Sequence, residues 1–229
     1  GNADVVKRSG VYMKRILITG ALGQLGSEIA DYLTREYSAV EVVRTDIREA
    51  EEGSPAAEGP FYASDVRDGE ELTRIVRKHR IDTIYHLAAL LSATAEQRPL
   101  GAWDLNMGGL VTVLETARQE GCAVFTPSSI GSFGPTTPRD WTPQDTLQRP
   151  TSMYGVTKVA GELLCDYYFH RYGVDTRGLR YPGLISNRTP PGGGTTDYAV
   201  DIYYEAVRRG RYRCFLKGDT YLDMMYMPD

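Results

Sequence analysis

Six short runs rich in β-branched or aromatic residues, over 15–19, 40–45, 61–63, 83–87, 123–126 and 176–179, are spread along this chain with longer stretches between them. Four of those stretches, 24–36, 69–79, 100–120 and 152–172, carry apolar residues at helical spacing. Two parallel strands cannot be joined by a tight turn; they need a crossover, most often an amphipathic helix. The alternation therefore predicts an α/β fold on a parallel sheet. The 229 residues suffice for one large domain of this kind and a small appendage.

Turn-forming residues mark the remaining boundaries. The stretch 49–60 combines Gly53, Pro55, Gly59 and Pro60 with Glu49, Glu51, Glu52 and Glu58 and reads as a surface loop. After Arg188 comes Thr189-Pro190-Pro191-Gly192-Gly193-Gly194, then a helical stretch over 197–209 and a strand-like run over 212–216. This predicts a main domain over 13–188 and a partial lobe over 189–229. Met13-Lys14-Arg15 directly precedes the first strand, so 1–12 are set outside the fold as a tag remnant or the stub of a processed leader. Pro228-Asp229 would suit the start of a further helix, so the lobe is expected to be truncated here.

A net charge of -4 supplies no basic field for a polyanion, which argues against nucleic acid as a partner. Cys122, Cys165 and Cys214 are dispersed and odd in number, so neither a disulfide scaffold nor a zinc cage is expected. His79, His86 and His170 have no ligand spacing, and no metal is expected. No apolar run reaches the ~20 residues a membrane span requires, and the first residues lack the apolar centre of a secretory signal. A soluble protein of a reducing compartment follows.

The first strand runs through Ile18-Thr19 into Gly20-Ala21-Leu22-Gly23-Gln24-Leu25-Gly26, where a helix opens. Glycines there allow a tight turn, let the backbone approach a pyrophosphate at the helix N-terminus, and permit close helix packing. Gly20, Gly23, Gln24, Leu25 and Gly26 are the candidate phosphate contacts, against the alternative of a plain strand-to-helix turn. Asp46, at the end of the second strand and 20 residues after Gly26, can accept both adenosine ribose hydroxyls. Its charge would repel a 2'-phosphate, which favours NAD over NADP, although Arg44 and Arg48 lie nearby. Asp65 and Val66, after the third strand, are candidates for the adenine pocket.

Tyr154 and Lys158 are four residues apart on a predicted helix and so share a face. Thr126-Pro127-Ser128-Ser129 closes a predicted parallel strand, the end at which open α/β sheets bind ligands, and Ser128 or Ser129 could donate to a substrate oxygen. A phenol with pKa about 10 is too little ionised at neutral pH to be an efficient base. An ammonium at ~4 Å in an effective dielectric of ~20 contributes about 4 kcal/mol, enough to lower that pKa by up to roughly three units. The chemistry this predicts is removal of an alcohol proton by Tyr154 as hydride leaves the carbinol carbon for a nicotinamide, with Lys158 also holding the nicotinamide ribose.

At these residues the chain resembles the extended short-chain dehydrogenase/reductase family, through the glycine turn, His86-Leu87-Ala88-Ala89, the Ser128-Ser129 strand end and Tyr154-Gly155-Val156-Thr157-Lys158. The resemblance covers residues 14 to about 185 and implies a Rossmann-type doubly wound parallel sheet with a substrate lobe. It implies Ser129, Tyr154 and Lys158 as the catalytic trio, Leu87, Ala88 and Ala89 along the cofactor, Asn106 as a helix asparagine supporting the site, and Tyr181 beside the nicotinamide. The longer strings over 102–107, 127–130, 179–185 and 190–199, with a later one over 224–229, are similar to the threonine-oxidising branch of that family. That likeness implies oxidation of L-threonine to 2-amino-3-oxobutyrate with NAD by a homodimer, cytoplasmic in a bacterium or in the mitochondrial matrix of a eukaryote. Gly131-Ser132 departs from the family's more usual small apolar pair, which bears on local packing rather than on the chemistry.

Threonine brings a carboxylate, an ammonium and a hydroxyl. Ser92, Arg180, Thr195 and Thr196 are the candidate carboxylate or hydroxyl partners, and Asp197 could face the ammonium; the threonines could instead cap the helix near Asp197, and Arg180 could form a structural ion pair. Two other readings stay open: a nucleotide-sugar 4-epimerase or dehydratase using the same trio, and a non-catalytic NAD-sensing module.

Overall fold

The computed structural model of the chain describes residues 7, 8, 11–188, 190 and 192–229, with side chains from Met13 onward. The expectation of a leader stub or tag over 1–12 falls largely outside the described residues; the backbone of Lys7–Arg8 pairs antiparallel with Val11–Tyr12. The elements that follow are β1 (Arg15–Thr19), α1 (Gln24–Glu36), β2 (Glu41–Asp46), β3 (Phe61–Ala63), α2 (Gly69–His79) and β4 (Thr83–His86). Next come α3 (Ser92–Gln97), α4 (Pro99–Glu120), β5 (Ala123–Phe125), β6 (Ser128–Ser129), α5 (Met153–Tyr172) and β7 (Thr176–Arg177). The last are β8 (Arg180–Tyr181), β9 (Gly183–Ile185), α6 (Tyr198–Arg209) and β10 (Met224–Tyr226).

Six strands form one parallel sheet in the order β3-β2-β1-β4-β5-β7, the doubly wound α/β arrangement. The strand order reverses between β1 and β4, whose ends pair Thr19 with His86. A sheet of this kind opens a crevice at that point, because successive crossovers leave toward opposite faces. Both faces are covered, so β1 reads as an unbroken apolar run. Leu17 packs with Val43, Ile75, Ile84, Val113, Leu114 and Val124 on one side; Ile16 and Ile18 pack with Ala30, Leu33 and Val42 under α1 on the other. Each such side chain contributes on the order of 1.5–3 kcal/mol of burial.

Helix ends follow local chemistry. The Asp68 carboxylate accepts from Glu71 N at 3.0 Å to start α2, and Ser152 Oγ accepts from Gly155 N at 3.0 Å to start α5. Gly121 and Gly173 close α4 and α5 in the left-handed conformation.

Two sequence expectations are corrected. The run 176–179 does not continue as one strand: Thr176–Arg177 pairs with β5, while Arg180–Tyr181 pairs with Ser128–Ser129 in a separate two-stranded ladder. Pro127 has no N–H to donate and Gly178 lies against the Thr126 carbonyl, so both chains bend together there. The run 212–216 forms no strand and is largely exposed; the partner of β9 is Met224–Tyr226 instead. The short helix α3 has no signal in the sequence pattern, since six residues carry too little periodicity. The loop 49–60 runs over the surface with one 3-10 turn at Pro55–Glu58.

Candidate active site

The loops leaving β1 and β4 meet in the crevice. Gly20 has φ +67°, and a Cβ on it would stand 2.7 Å from Ala88 N; a Cβ on Gly26 would overlap the Gly20 carbonyl oxygen. Only glycines let strand, turn and helix approach this closely. Gly23 is the N-cap of α1, no side chain caps it, and no carboxylate sits in the first turn. That leaves the positive end of the helix to an anion. The buried Asp46 carboxylate accepts from Leu22 N at 3.0 Å and from Arg48 N and Nε at 3.1 and 3.2 Å. A carboxylate has about four acceptor positions, so one stands open to a ribose hydroxyl and a second opens if the exposed Arg48 side chain turns away. These residues fit a dinucleotide: the glycines and the first turn of α1 would hold its pyrophosphate and Asp46 its adenosine ribose.

Two cofactor expectations change character. Asp65 accepts from Arg67 N, Nε and Nη2, and that guanidinium holds its carboxyl below the usual range; the Val66 side chain is in the core. The Asp65 carboxylate is therefore engaged by Arg67 rather than free for an adenine. Asn106 is not free for a cofactor. Its Oδ1 accepts from Leu90 N at 2.8 Å, and its Nδ2 donates to Leu90 O at 3.2 Å and Thr157 Oγ1 at 3.3 Å. It braces the loop of Leu87, Ala88 and Ala89 against α5. His86 lies fully buried with Nδ1 2.9 Å from Thr19 Oγ1, and burial, helped by the charge of Lys158, lowers its pKa to about 3.

Ser129, Tyr154 and Lys158 come together. Ser129 Oγ accepts from Gly131 N at 3.0 Å and hydrogen-bonds the Tyr154 hydroxyl. Gly131 lies flat against the phenol ring, where a Cβ would approach Tyr154 Cδ1 to 3.2 Å, and Ser132 behind it is fully buried. The absence of a Cβ at Gly131 therefore makes room for the ring. Lys158 Nζ donates to Pro127 O at 2.7 Å and lies 5.3 Å from the Tyr154 ring centroid. Burial pulls the amine down to about pKa 8, opposed first by Glu162.

The expected electrostatics need correction here. Burial raises the Tyr154 pKa, and only the Ser129 hydrogen bond works against it. Helical spacing placed phenol and amine on one face, but the Pro127 carbonyl captures the ammonium, so desolvation outweighs the lysine charge at the phenol.

Beside the trio α3 packs against α4 and α5, and Glu96 Oε1 accepts from Met153 N at 2.7 Å, which ties α3 to the first turn of α5. Ser92 Oγ accepts from Thr195 N at 3.0 Å, and Ala93 N donates to Gly193 O at 3.0 Å. Ser92, Thr195 and Thr196 thus line one corner, with Thr196 against Gly183. Neither threonine caps α6. Asp197 is corrected: its Oδ2 accepts from Gly193 N and Gly194 N at 2.8 and 2.7 Å, so it folds the glycine loop. Arg180 is corrected as well, since its guanidinium is held by Glu162 at 2.9 and 2.7 Å and by Gln144 O at 2.9 Å. Tyr181 is half-buried and paired in register with Ser129. Sequence reasoning missed Glu162, the Pro127 carbonyl and Thr157; only the four-residue step from Lys158 to Glu162 could have signalled the first. A polar cavity of about 360 Å³ behind the trio is lined by Lys158, Glu162, Ser128, Asp145, Thr157 and Arg180 among others.

A sequence profile of the NAD dependent epimerase/dehydratase family matches residues 16–229. The chain belongs to that family, the extended short-chain dehydrogenase/reductases. It is 60% identical over 217 residues to an uncharacterized epimerase/dehydratase of Staphylococcus haemolyticus, covering 95% of this chain and 68% of that protein. Among solved structures it is similar to the L-threonine dehydrogenase of Clostridium difficile, at 58% identity and TM-score 0.89, covering 95% of this chain and 68% of the other. It is more distantly similar to the UDP-glucose 4-epimerase of Thermotoga maritima, at 26% identity and TM-score 0.83, covering 93% and 70%. No helix among the described residues is long and apolar enough to cross a membrane.

Proposed function

We propose that the chain is an NAD-dependent L-threonine 3-dehydrogenase, oxidising L-threonine to 2-amino-3-oxobutyrate. The observation that carries this reading is the convergence of Ser129, Tyr154 and Lys158 beside the glycine turn, in a chain whose likeness to a threonine dehydrogenase far exceeds its likeness to a sugar epimerase. Bound NAD would supply the hydride acceptor and, as a pyridinium, a second cation beside the phenol.

The protein's own part is proton handling and orientation. Ser129 Oγ aligns the substrate hydroxyl against the Tyr154 oxygen, and Tyr154, once its own phenolic proton has passed to solvent, takes the substrate's. Tyr154 requires a positive neighbour at that moment because burial alone holds the phenol protonated. The pyridinium of bound NAD would add the positive charge that Lys158, held by the Pro127 carbonyl, does not supply to the phenol alone; we assign the Lys158 ammonium also to the nicotinamide ribose. With Arg180 engaged elsewhere, the hydroxyls of Ser92, Thr195 and Thr196 are the groups assigned to the substrate's carboxylate. The exposed apolar residues Leu100, Trp103 and Val111 on α4 and Val156, Leu163 and Tyr167 on α5 suit a homodimer across these adjoining helices. A cytoplasmic enzyme agrees with the bacterial relatives.

The test follows NADH absorbance with L-threonine and with a panel of nucleotide sugars. Threonine-dependent NADH formation is expected, with Tyr154→Phe slower by about 10²-fold or more. Conversion of a sugar nucleotide without any of threonine would establish the epimerase reading instead, and tight NAD binding with no alcohol oxidised would point to a sensor.

A further inference from the structure

Tyr154, Lys158 and Glu162 succeed one another at intervals of four along α5 and so descend one face of the helix. Behind the catalytic groups the hydrogen-bond donors converge on Glu162. Arg180 gives Nε and Nη2 at 2.9 and 2.7 Å, Gln148 gives Nε2 at 3.0 Å, and the Ser128 hydroxyl donates as well. These donors arrive from β8, from the loop between β6 and α5, and from β6. Ser128 precedes Ser129, and the β6–β8 ladder pairs Arg180 with Ser128 and Tyr181 with Ser129. One carboxylate thereby ties the helix that bears Tyr154 and Lys158 to the strand that bears Ser129. Glu162 and Lys158 line the same cavity.

We propose that Glu162 is a positioning residue for the chemistry: it fixes the Ser129 strand against the Tyr154 helix and is the counter-charge that keeps the buried Lys158 an ammonium. The consequence for turnover rests on the dehydrogenase reading; the consequence for Lys158 does not. Burial disfavours the charged carboxyl of Glu162, but the hydrogen bonds from Arg180, Ser128 and Gln148 outweigh it and hold the carboxyl below its usual range. The other groups around the amine leave this role to Glu162. His86 on β4 is neutral, the Tyr154 phenol is pushed up by burial, and the Cys165 thiol is pushed up to about 12. Asp145 and Asp166 stand exposed at the cavity rim, where water screens them. Arg177 pairs with Asp175, and Arg180 with Glu162.

The test is a direct titration of the lysine. The chain has five lysines, Lys7, Lys14, Lys78, Lys158 and Lys217, so ¹³Cε-lysine NMR of the full chain, assigned with Lys158→Met, can follow each one. The Lys158 signal should titrate near pH 8 in the parent, about one unit lower in Glu162→Gln, and within half a unit of the parent in Glu162→Asp on the same basis. An unmoved midpoint in Glu162→Gln would overturn the proposal. Should that variant not fold, Arg180→Gln replaces it: leaving the carboxylate charge unshared should raise the midpoint, and no rise refutes the assignment. In the NADH assay the alkaline limb of kcat against pH should move down with the Lys158 midpoint, whereas a uniform loss with a fixed limb would leave Glu162 merely structural. A parent that does not turn over threonine would sink the substrate reading while the NMR result still decides the role of Glu162.

Discussion

Replacing Lys158 by methionine should stabilise the fold while abolishing turnover. The amine moves from its ordinary pKa of 10.5 to about 8 in the fold, a difference that at about 1.36 kcal/mol per unit makes the buried ammonium roughly 3 kcal/mol less favourable than a buried amine. Methionine fills a similar volume without charge. Against this, the Pro127 carbonyl loses its 2.7 Å donor, a loss of about 1–2 kcal/mol. The net expectation is a variant about 1–2 kcal/mol more stable at pH 7. A depressed lysine pKa means that the unfolded chain holds more protons between about pH 8 and 10.5. The parent's stability should therefore rise through that window, and the deficit is fully present below it. Urea unfolding of both proteins at pH 7 and pH 10 reads the difference, because the other titrating groups are common to both. If Lys158→Met is less stable than the parent at pH 7, and both change equally between the two pH values, the buried ammonium is not the strained group described here.

Two further outcomes can be measured. His86 falls from 6.5 to about 3 on folding, so its contribution is present above pH 6.5 and is lost as pH falls toward 3. Between pH 7 and 5 the parent should lose about 2 kcal/mol more stability in urea titrations than His86→Asn, and equal slopes would count against a neutral buried ring. Leu163 on α5 is 63% exposed; Leu163→Arg should halve the mass seen by light scattering if α4 and α5 form the dimer face, and an unchanged mass would place the interface elsewhere.

The order of elements was legible because it depends on local rules. Runs such as Ile16-Leu17-Ile18 can be buried on both faces only in a covered parallel sheet, and Gly20, Gly23 and Gly26 admit backbone approaches that other residues forbid. The four-residue step from Tyr154 to Lys158 likewise fixed that the two share a helix face. Which atoms they then meet was not local. Arg180, read as a substrate contact, is claimed by Glu162, 18 residues earlier in the chain; Asn106 is claimed by Leu90 and Thr157; the Lys158 ammonium turns to the Pro127 carbonyl. Sequence by itself settled the alternation of strands and helices through β5 and the residue types brought to the crevice, since periodicity and glycine sterics act over a few neighbouring positions; the split of 176–181 into two strands and the pairing of β9 with β10 depended on distant segments. Only the tertiary structure decided which charges are paired, buried or left for a ligand. Hydrogen-bond partners and desolvation arise between segments far apart in the chain, and no short-range pattern encodes them.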